Sequence, residues 1–598
     1  MKGRRCGKRL LTAIVLPLAL CACTLTSADS SFFGTTTPPK DDVLRYVTGP
    51  EPESLDPHIG SGQPEARIYM ALFQGLVEYH PKTMLPIPAI AESWDTNKDS
   101  SEFIFHLRKN ARFSNGEPIT AHDFVWSLRR ALTPELASRN SYMAYPVRYA
   151  QGFNEGASFV RDASTAEFEM DKASGFRRVV AASEVKPVPG KDFVPIRAED
   201  IGIEALDDYT LRYTLSQPSP YFVGMMAHQF FMVVHRKTIE QYGTEWTQPE
   251  HIVSSGPFKL KEWVPYDRVV VERDPMYWNA GSVRLKEIRF YPLDDNTTAM
   301  NLYKSGVIDA TSNHSVPMPW LDQIQRLKDY MDAPELANSY IQVNTTKPPM
   351  NDLRVRKAFG FAIDREALAK FRRVAKPLYA FVPTGIFPGY PQPPGDGFDP
   401  KRARELLAEA GYRDASGNYD PSKFPIDQVE YTYNTLDINR QIAEFLQAQW
   451  KQNLQLTVPL RNMEFKTFLV TRANLEYKGM SRSGWIGDYM DPFSYLNLFS
   501  TPRGDNGTGW WDPRYVALLN AANRILDPQQ RYQKLAEAEK MLLDSGAVIP
   551  LFVNSTDWMK KPYVKGMYPN PGTLHAWDYV YIERDPAKWD YAQPDMKP

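Results

Sequence analysis

The chain has 598 residues, more than one hydrophobic core usually supports, so two or three domains are expected. Its 70 basic and 71 acidic residues give a formal charge of −1, and removing a leader that holds Lys2, Arg4, Arg5, Lys8 and Arg9 but no acid takes the body to −6. A body of that sign without a strong basic cluster argues against nucleic-acid binding, and all three cysteines, Cys6, Cys21 and Cys23, lie in the leader, which excludes a disulfide framework or a cysteine metal site in the folded part.

The basic start, the apolar run Leu10–Leu20 and Leu20-Cys21-Ala22-Cys23 read as a secretory signal over residues 1–22 followed by a lipid-accepting Cys23. Cys23 fits better than Cys21, because Ala22 before it is small and Leu20 before Cys21 is bulky. Residues 23–40, rich in Ser, Thr and Pro, then read as a lipidated flexible tether. No other apolar run reaches the ~20 residues a spanning helix needs.

Along the body, Val43–Val47 and Phe103–Leu107 alternate as strands, and Thr120 opens a helix in which Asp123 completes a variant capping box before Phe124, Leu128 and Leu132. Residues 151–197 are polar, charged and without clear periodicity, which marks an insertion or elaborated loop; Leu206–Leu215 returns to strand patterning. Ile288 and Phe290 sit in a strand, and Arg354–Lys370 holds a helix carrying Ala358, Phe359, Ala362 and Ile363. Asp399-Pro400 and Asp527-Pro528 place a capping carboxylate before a proline at the first helical position, and Gly411 closes the first of these helices. Gln428–Tyr433 is a strand followed by a helix with Ile438, Ile442, Phe445, Leu446 and Trp450 on one face. Mixed β and α patterning without a short repeat predicts α/β layers.

Few enzymes fit. No two of the nine histidines lie within five residues of each other, so the His-Glu-x-x-His zinc pattern is absent. There is no Gly-x-Ser-x-Gly elbow, phosphate-binding Gly-x-x-x-x-Gly-Lys loop or complete Gly-x-Gly-x-x-Gly. A catalytic set dispersed along the chain stays open on spacing alone. The stretch Arg482–Pro492 is the strongest local pointer to chemistry, because Asp488 stands beside Trp485 and Tyr489 on a Gly-bearing turn. An anion beside an aromatic wall suits a small cation, such as the α-amino group of a free peptide.

Several segments together resemble the extracytoplasmic solute-binding proteins of ABC importers, in the family that includes the oligopeptide- and dipeptide-binding proteins (family 5). They are Glu53-Ser54-Leu55-Asp56-Pro57-His58, Phe113-Ser114-Asn115-Gly116-Glu117-Pro118, Ser255-Gly256-Pro257-Phe258, Glu272–Asn279, Arg354-Val355-Arg356-Lys357-Ala358 and Ile549–Asn554. The resemblance runs from about Val43 to the C-terminus, with residues 151–197 as its main departure. It implies an α/β type II periplasmic-binding-protein fold, two lobes on a hinge plus an inserted domain. Lobe one is expected at 41–78, 206–313 and 550–598, the inserted domain at 79–205, and lobe two at 314–549.

The resemblance also implies a monomeric receptor without a cofactor, bound to a peptide ligand, to the permease and ATPase subunits of an importer, and to the membrane through its lipid. In the peptide-binding branch the aspartate of a Trp-x-x-Asp-Tyr segment holds the ligand's α-amino group, here Asp488 with Trp485 and Tyr489. Gly484 and Ile486, flanking Trp485, belong to the same ligand-contacting stretch. Arg482 and Arg472 match arginines that receive the ligand carboxylate, and Asn439 stands where that branch has a histidine at the ligand C-terminus. Tyr142, Asn434 and the backbone at Gly62 and Gln63 are weaker positional matches.

Each residue also has a structural alternative. Asp488 can brace its turn, Trp485 and Tyr142 can fill core, Arg482 and Arg472 can be surface cations, and Asp491 before Pro492 reads as a turn residue. A sugar, opine or metal chelate in place of the peptide, or a secreted hydrolase, are the competing functions.

Overall fold

The computed structural model describes residues 31–60, 62–172, 174–502 and 506–589. The signal segment and Cys23 lie outside the described residues.

The first lobe is built on a four-stranded sheet in the order Val43–Gly49, Glu287–Pro292, Arg268–Arg273 and Phe258–Val264. Val43–Gly49 pairs in parallel with its neighbour, Tyr46 opposite Phe290, and the other pairs are antiparallel. The alternation expected for Val43–Val47 is met by burial of Leu44 and Tyr46, which pack with Phe290 and Trp577. Several residues of the recognised segments brace this lobe. Asp56 pairs with Arg130 and accepts from Trp246 Nε1, and a side chain at Gly256 would meet the Ala71 carbonyl at 2.7 Å.

The inserted domain carries the antiparallel sheet Ala91–Thr96, Glu102–Leu107, Thr210–Thr214, Ile203–Asp207. Its helix Ala121–Ala131 starts as expected, with Asp123 Oδ2 accepting both the Thr120 N–H and O–H at 2.8 Å. The polar stretch folds as a separate three-stranded antiparallel sheet of Val179–Val180, Ser158–Asp162 and Lys191–Pro195. It has a small core of its own, with Ala157, Phe159 and Ile196 buried beneath Phe168.

The second lobe holds a six-stranded sheet ordered Ala375–Pro377, Val548–Asn554, Ala337–Val343, Gly479–Ile486, Glu430–Asn434, Leu460–Met463. Asp399 accepts from Arg402 N–H at 2.9 Å and Asp527 from Gln530 N–H at 2.8 Å, as their Asp-Pro pairs predict. Gly411 follows its helix with φ +107°. The helix expected in Arg354–Lys370 is two, Leu353–Phe361 and Arg365–Arg372. Asp364 ends the run by capping the second through Ala367 N–H, which leaves Ala362 and Ile363 outside both.

Two antiparallel strands join the lobes. Tyr330–Met331 pairs with Trp558–Met559, Pro334 bridges to Ser555, and Ser339 then faces Phe552 inside the second sheet. These pairings move the expected boundaries. Residues 210–214, assigned to lobe one, are hydrogen-bonded to Glu102–Leu107 in the inserted sheet, and the segment at Tyr221 stays with it through Phe222, which packs on Phe103 and Tyr213. Residues 550–554 belong to the second lobe's sheet. Conversely, Val316, Leu321 and Ile324 share a core with Met300, Tyr303 and Met559, so 314–331 stays with the first lobe. The tether is also shorter than read: the Phe33 N–H donates to Asp329, and its ring packs on Tyr303 and Trp320. The ring buries a large apolar area, and backbone bonds add to it: Thr35 N–H donates to the Lys304 carbonyl at 2.9 Å and Lys561 Nζ to the Phe33 carbonyl at 3.0 Å.

Candidate functional site

A cavity of about 1280 Å³ lies between the inserted domain and the second lobe. The inserted domain supplies Tyr142, Arg148, Tyr149, Phe176, Arg177 and Tyr221, and the second lobe supplies Trp485, Asp488, Tyr489 and Ser494. The volume exceeds the roughly 300–1,000 Å³ of ordinary small-molecule sites. It suits a ligand with several side chains.

Trp485 is the next-to-last residue of the strand Gly479–Ile486, where its N–H donates to Asn338 Oδ1 at 3.0 Å. Its indole Nε1 is buried and has no hydrogen-bond partner. The chain then leaves the sheet: Gly487 N–H still donates to the Leu336 carbonyl at 2.8 Å, and Asp488 N–H donates to Ser494 Oγ at 2.9 Å. Asp488 is therefore held at the mouth of a central strand and is half-buried. Tyr142 O–H donates to its Oδ1 at 3.2 Å, and Ser494 O–H lies 3.4 Å from Oδ2. Both hydroxyls are neutral donors, and they orient the carboxylate from two sides. The Tyr142 phenol is pushed up, first by loss of solvent around it and then by the Asp488 charge, so it remains a donor at neutral pH.

The floor is aromatic. Tyr221 stacks on Tyr489 at 4.9 Å and on Phe493 at 5.0 Å, which fixes the inserted domain against the second lobe directly behind Asp488. Asp491 does set its turn, accepting from Phe493 N–H at 2.8 Å. It is also a buried partner of Arg531, with contacts of 2.5 and 2.9 Å, a role the spacing with Pro492 did not suggest.

The other residues singled out in the sequence stand elsewhere. Arg482 Nη1 reaches Asn434 Oδ1 at 3.3 Å, and Asn439 Nδ2 donates to the same oxygen at 3.0 Å, forming a polar cluster on the second lobe. Burial lowers the Arg482 guanidinium; Tyr431 opposes this and nearby Arg472 adds to it. Arg472 donates to Ser483 Oγ at 3.0 Å and keeps a buried, unpartnered Nε. None of these four lines the cavity that holds Asp488. Gly62 and Gln63 open the helix Gln63–Leu72 on the first lobe, where Gln63 Oε1 accepts from Arg67 at 2.9 Å and Thr573 at 3.2 Å. Gly484 lies where a side chain would meet the Asn338 carbonyl at 2.9 Å, and Ile486 is 73 % exposed. Of the residues singled out in the sequence, Tyr142, Trp485 and Asp488 share the cavity, Arg482, Asn434 and Asn439 form a separate cluster on the second lobe, and Gly62 and Gln63 lie on the first.

Sequence reasoning passed over Ser494, Tyr221, Arg148 and Phe176. Only the aromatic richness of the chain hinted at the stacked floor. Among the described residues no cluster of three or more metal-ligating side chains is present, and no helix is long and apolar enough to cross a membrane.

Comparison with known proteins agrees with this architecture. The periplasmic oligopeptide-binding protein OppA of Escherichia coli (strain K12) is 32 % identical over 94 % of this chain and 95 % of its own length. The unliganded open form of the periplasmic murein tripeptide-binding protein MppA superimposes with a TM-score of 0.77 at 27 % identity, covering 92 % of this chain and 98 % of that one. Haemophilus influenzae OppA in complex with the peptide RPPGFSPFR gives a TM-score of 0.64 at 26 % identity, covering 91 % of this chain and all of that one. The family model of bacterial extracellular solute-binding proteins, family 5, matches residues 86–507, and the chain belongs to that family.

Proposed function

We propose that this protein is the extracytoplasmic receptor of an ABC importer, anchored through a lipid on Cys23, which captures peptides between its lobes and presents them to a membrane permease. The observation that carries the reading is Asp488, oriented by two neutral hydroxyls beside Trp485 in a roomy cavity. A peptide ammonium and this carboxylate are both charged at neutral pH, and the aromatic wall lowers the dielectric around their contact. Beyond Ser481 the strand Gly479–Ile486 has no ladder pairing with Glu430–Asn434, an edge on which a ligand's main chain can add hydrogen bonds that do not depend on its side chains. A ligand touching both lobes favours the closed arrangement by its differential affinity for that state, and closure signals occupancy. Binding and release are sufficient for this role, which requires no covalent step.

Titration calorimetry with trialanine and with N-acetyl-trialanine tests the reading. The free amine is expected to bind and the acetylated peptide to bind at least tenfold more weakly. Equal affinity for the two would remove the ammonium anchor, and shortened peptide in the cell would point to hydrolysis instead.

A further inference from the structure

We propose that Arg148, contributed by the inserted domain, receives a carboxylate of the ligand in the cavity that holds Asp488. This rests on the peptide-receptor reading above and adds a specificity-determining residue to it.

Arg148 lines the cavity, and its backbone is fixed there: its N–H donates to the Thr214 carbonyl and its own carbonyl accepts from Gly202, both at 2.9 Å. Its guanidinium lies against two rings, 5.5 Å from Tyr149 and 5.3 Å from Phe176. Tyr149 adopts φ +61°, a left-handed conformation uncommon outside glycine and concentrated at functional positions. Its hydroxyl accepts from Arg177 N–H at 2.9 Å, which ties the ring to the small inserted sheet. The side chain is therefore preorganised by aromatic contacts.

Among the described residues its charge has no counterpart. Arg177 and Arg178 in the same wall pair with Asp200 and Glu169, each at 3.0 Å. Arg148 enters no ion pair among the described residues, and its Nε is buried without a partner. A planar guanidinium packed against two rings in the wall of a cavity is suited to a carboxylate, which it can meet through two parallel bonds. Asp488 and Arg148 give one cavity an acid and a base from different domains. That arrangement complements a zwitterion, and it assigns the polar insertion a role in ligand choice.

The carboxylate can be the ligand's C-terminus or an acidic side chain. Calorimetry at pH 7 with trialanine against its C-terminal amide, and with Ala-Glu-Ala amide against Ala-Gln-Ala amide, separates the two sources. Wild type is expected to prefer the charged member of one pair by about 10- to 100-fold. Arg148→Gln should bind both members of that pair equally, and Arg148→Lys should keep part of the preference. Because each ratio is read within one protein, a general loss of folding does not imitate the result. Equal wild-type affinity within both pairs, or a preference that survives in Arg148→Gln, overturns the assignment while the receptor reading stands. Binding of none of the four probes by wild type overturns both.

Discussion

Tyr142 O–H lies 3.2 Å from Asp488 Oδ1, although the two residues are 346 positions apart and belong to different domains. The contact places a neutral donor from the inserted domain on the carboxylate at the end of a second-lobe strand. The Asp488 carboxylate is thus oriented from both sides of the cavity.

Asp488→Asn keeps the shape and removes the charge, so peptide affinity should fall by about 2–5 kcal/mol. Tyr142→Phe removes one orienting bond and should cost only about 1 kcal/mol. Calorimetry with trialanine compares them; a larger loss for Tyr142→Phe than for Asp488→Asn would displace the charge from the centre of recognition.

His314 links the two strands that join the lobes, with Nδ1 2.9 Å from Asp557 and Nε2 2.6 Å from Glu335. Burial opposes its ionisation, but these two carboxylates outweigh it and raise the imidazole from 6.5 to about 10. A group raised on folding contributes fully below its unfolded value and loses that contribution as pH rises through the folded one. Thermal stability carried by His314 should therefore be present at pH 6 and decline between pH 6.5 and 10. The side chain is 45 % exposed, so solvent screening holds the expected loss in His314→Asn at pH 7 to about 1 kcal/mol. Melting curves of wild type and variant across this range should converge at high pH; parallel curves would show that the imidazolium plays no part.

The pair Asp491–Arg531 is buried on both sides, with side-chain exposures of 9 % and 5 %. Asp491→Asn leaves an arginine without its counter-charge under the aromatic floor, and should destabilise the protein by about 3–5 kcal/mol. Replacing both by apolar residues, Asp491→Leu with Arg531→Met, should recover much of that loss. Calorimetric unfolding of the single and double variants distinguishes them, and a double variant as unstable as the single one would contradict the account.

The small inserted sheet has its own core, and its ends meet where the Ile196 N–H donates to the Ala157 carbonyl at 3.1 Å. Residues 158–195 should therefore be replaceable by a two-glycine turn with the main unfolding transition nearly unchanged. Loss of that transition would mean that the sheet supports the lobes as well as the cavity wall.

Much of the local structure was legible because its causes are local. Asp399, Asp527 and Asp123 sit within four residues of the groups they cap, and the alternation at Leu44 and Tyr46 reports burial directly. Asp488 and Trp485 stood out because an acid beside a large ring on a glycine turn is a chemical arrangement visible in one short segment.

Tertiary structure decided which sheet each strand entered and which distant residues met. Backbone N–H and C=O groups are the same at every position, so the pairing of 210–214 with the inserted sheet, or of 550–554 with the second lobe, leaves no local mark in the sequence. The same holds for the cavity. A polar insertion and an arginine at its edge look like solvated loop until folding sets Arg148 and Phe176 in the wall that also carries Asp488, because proximity across hundreds of residues follows from packing and not from spacing.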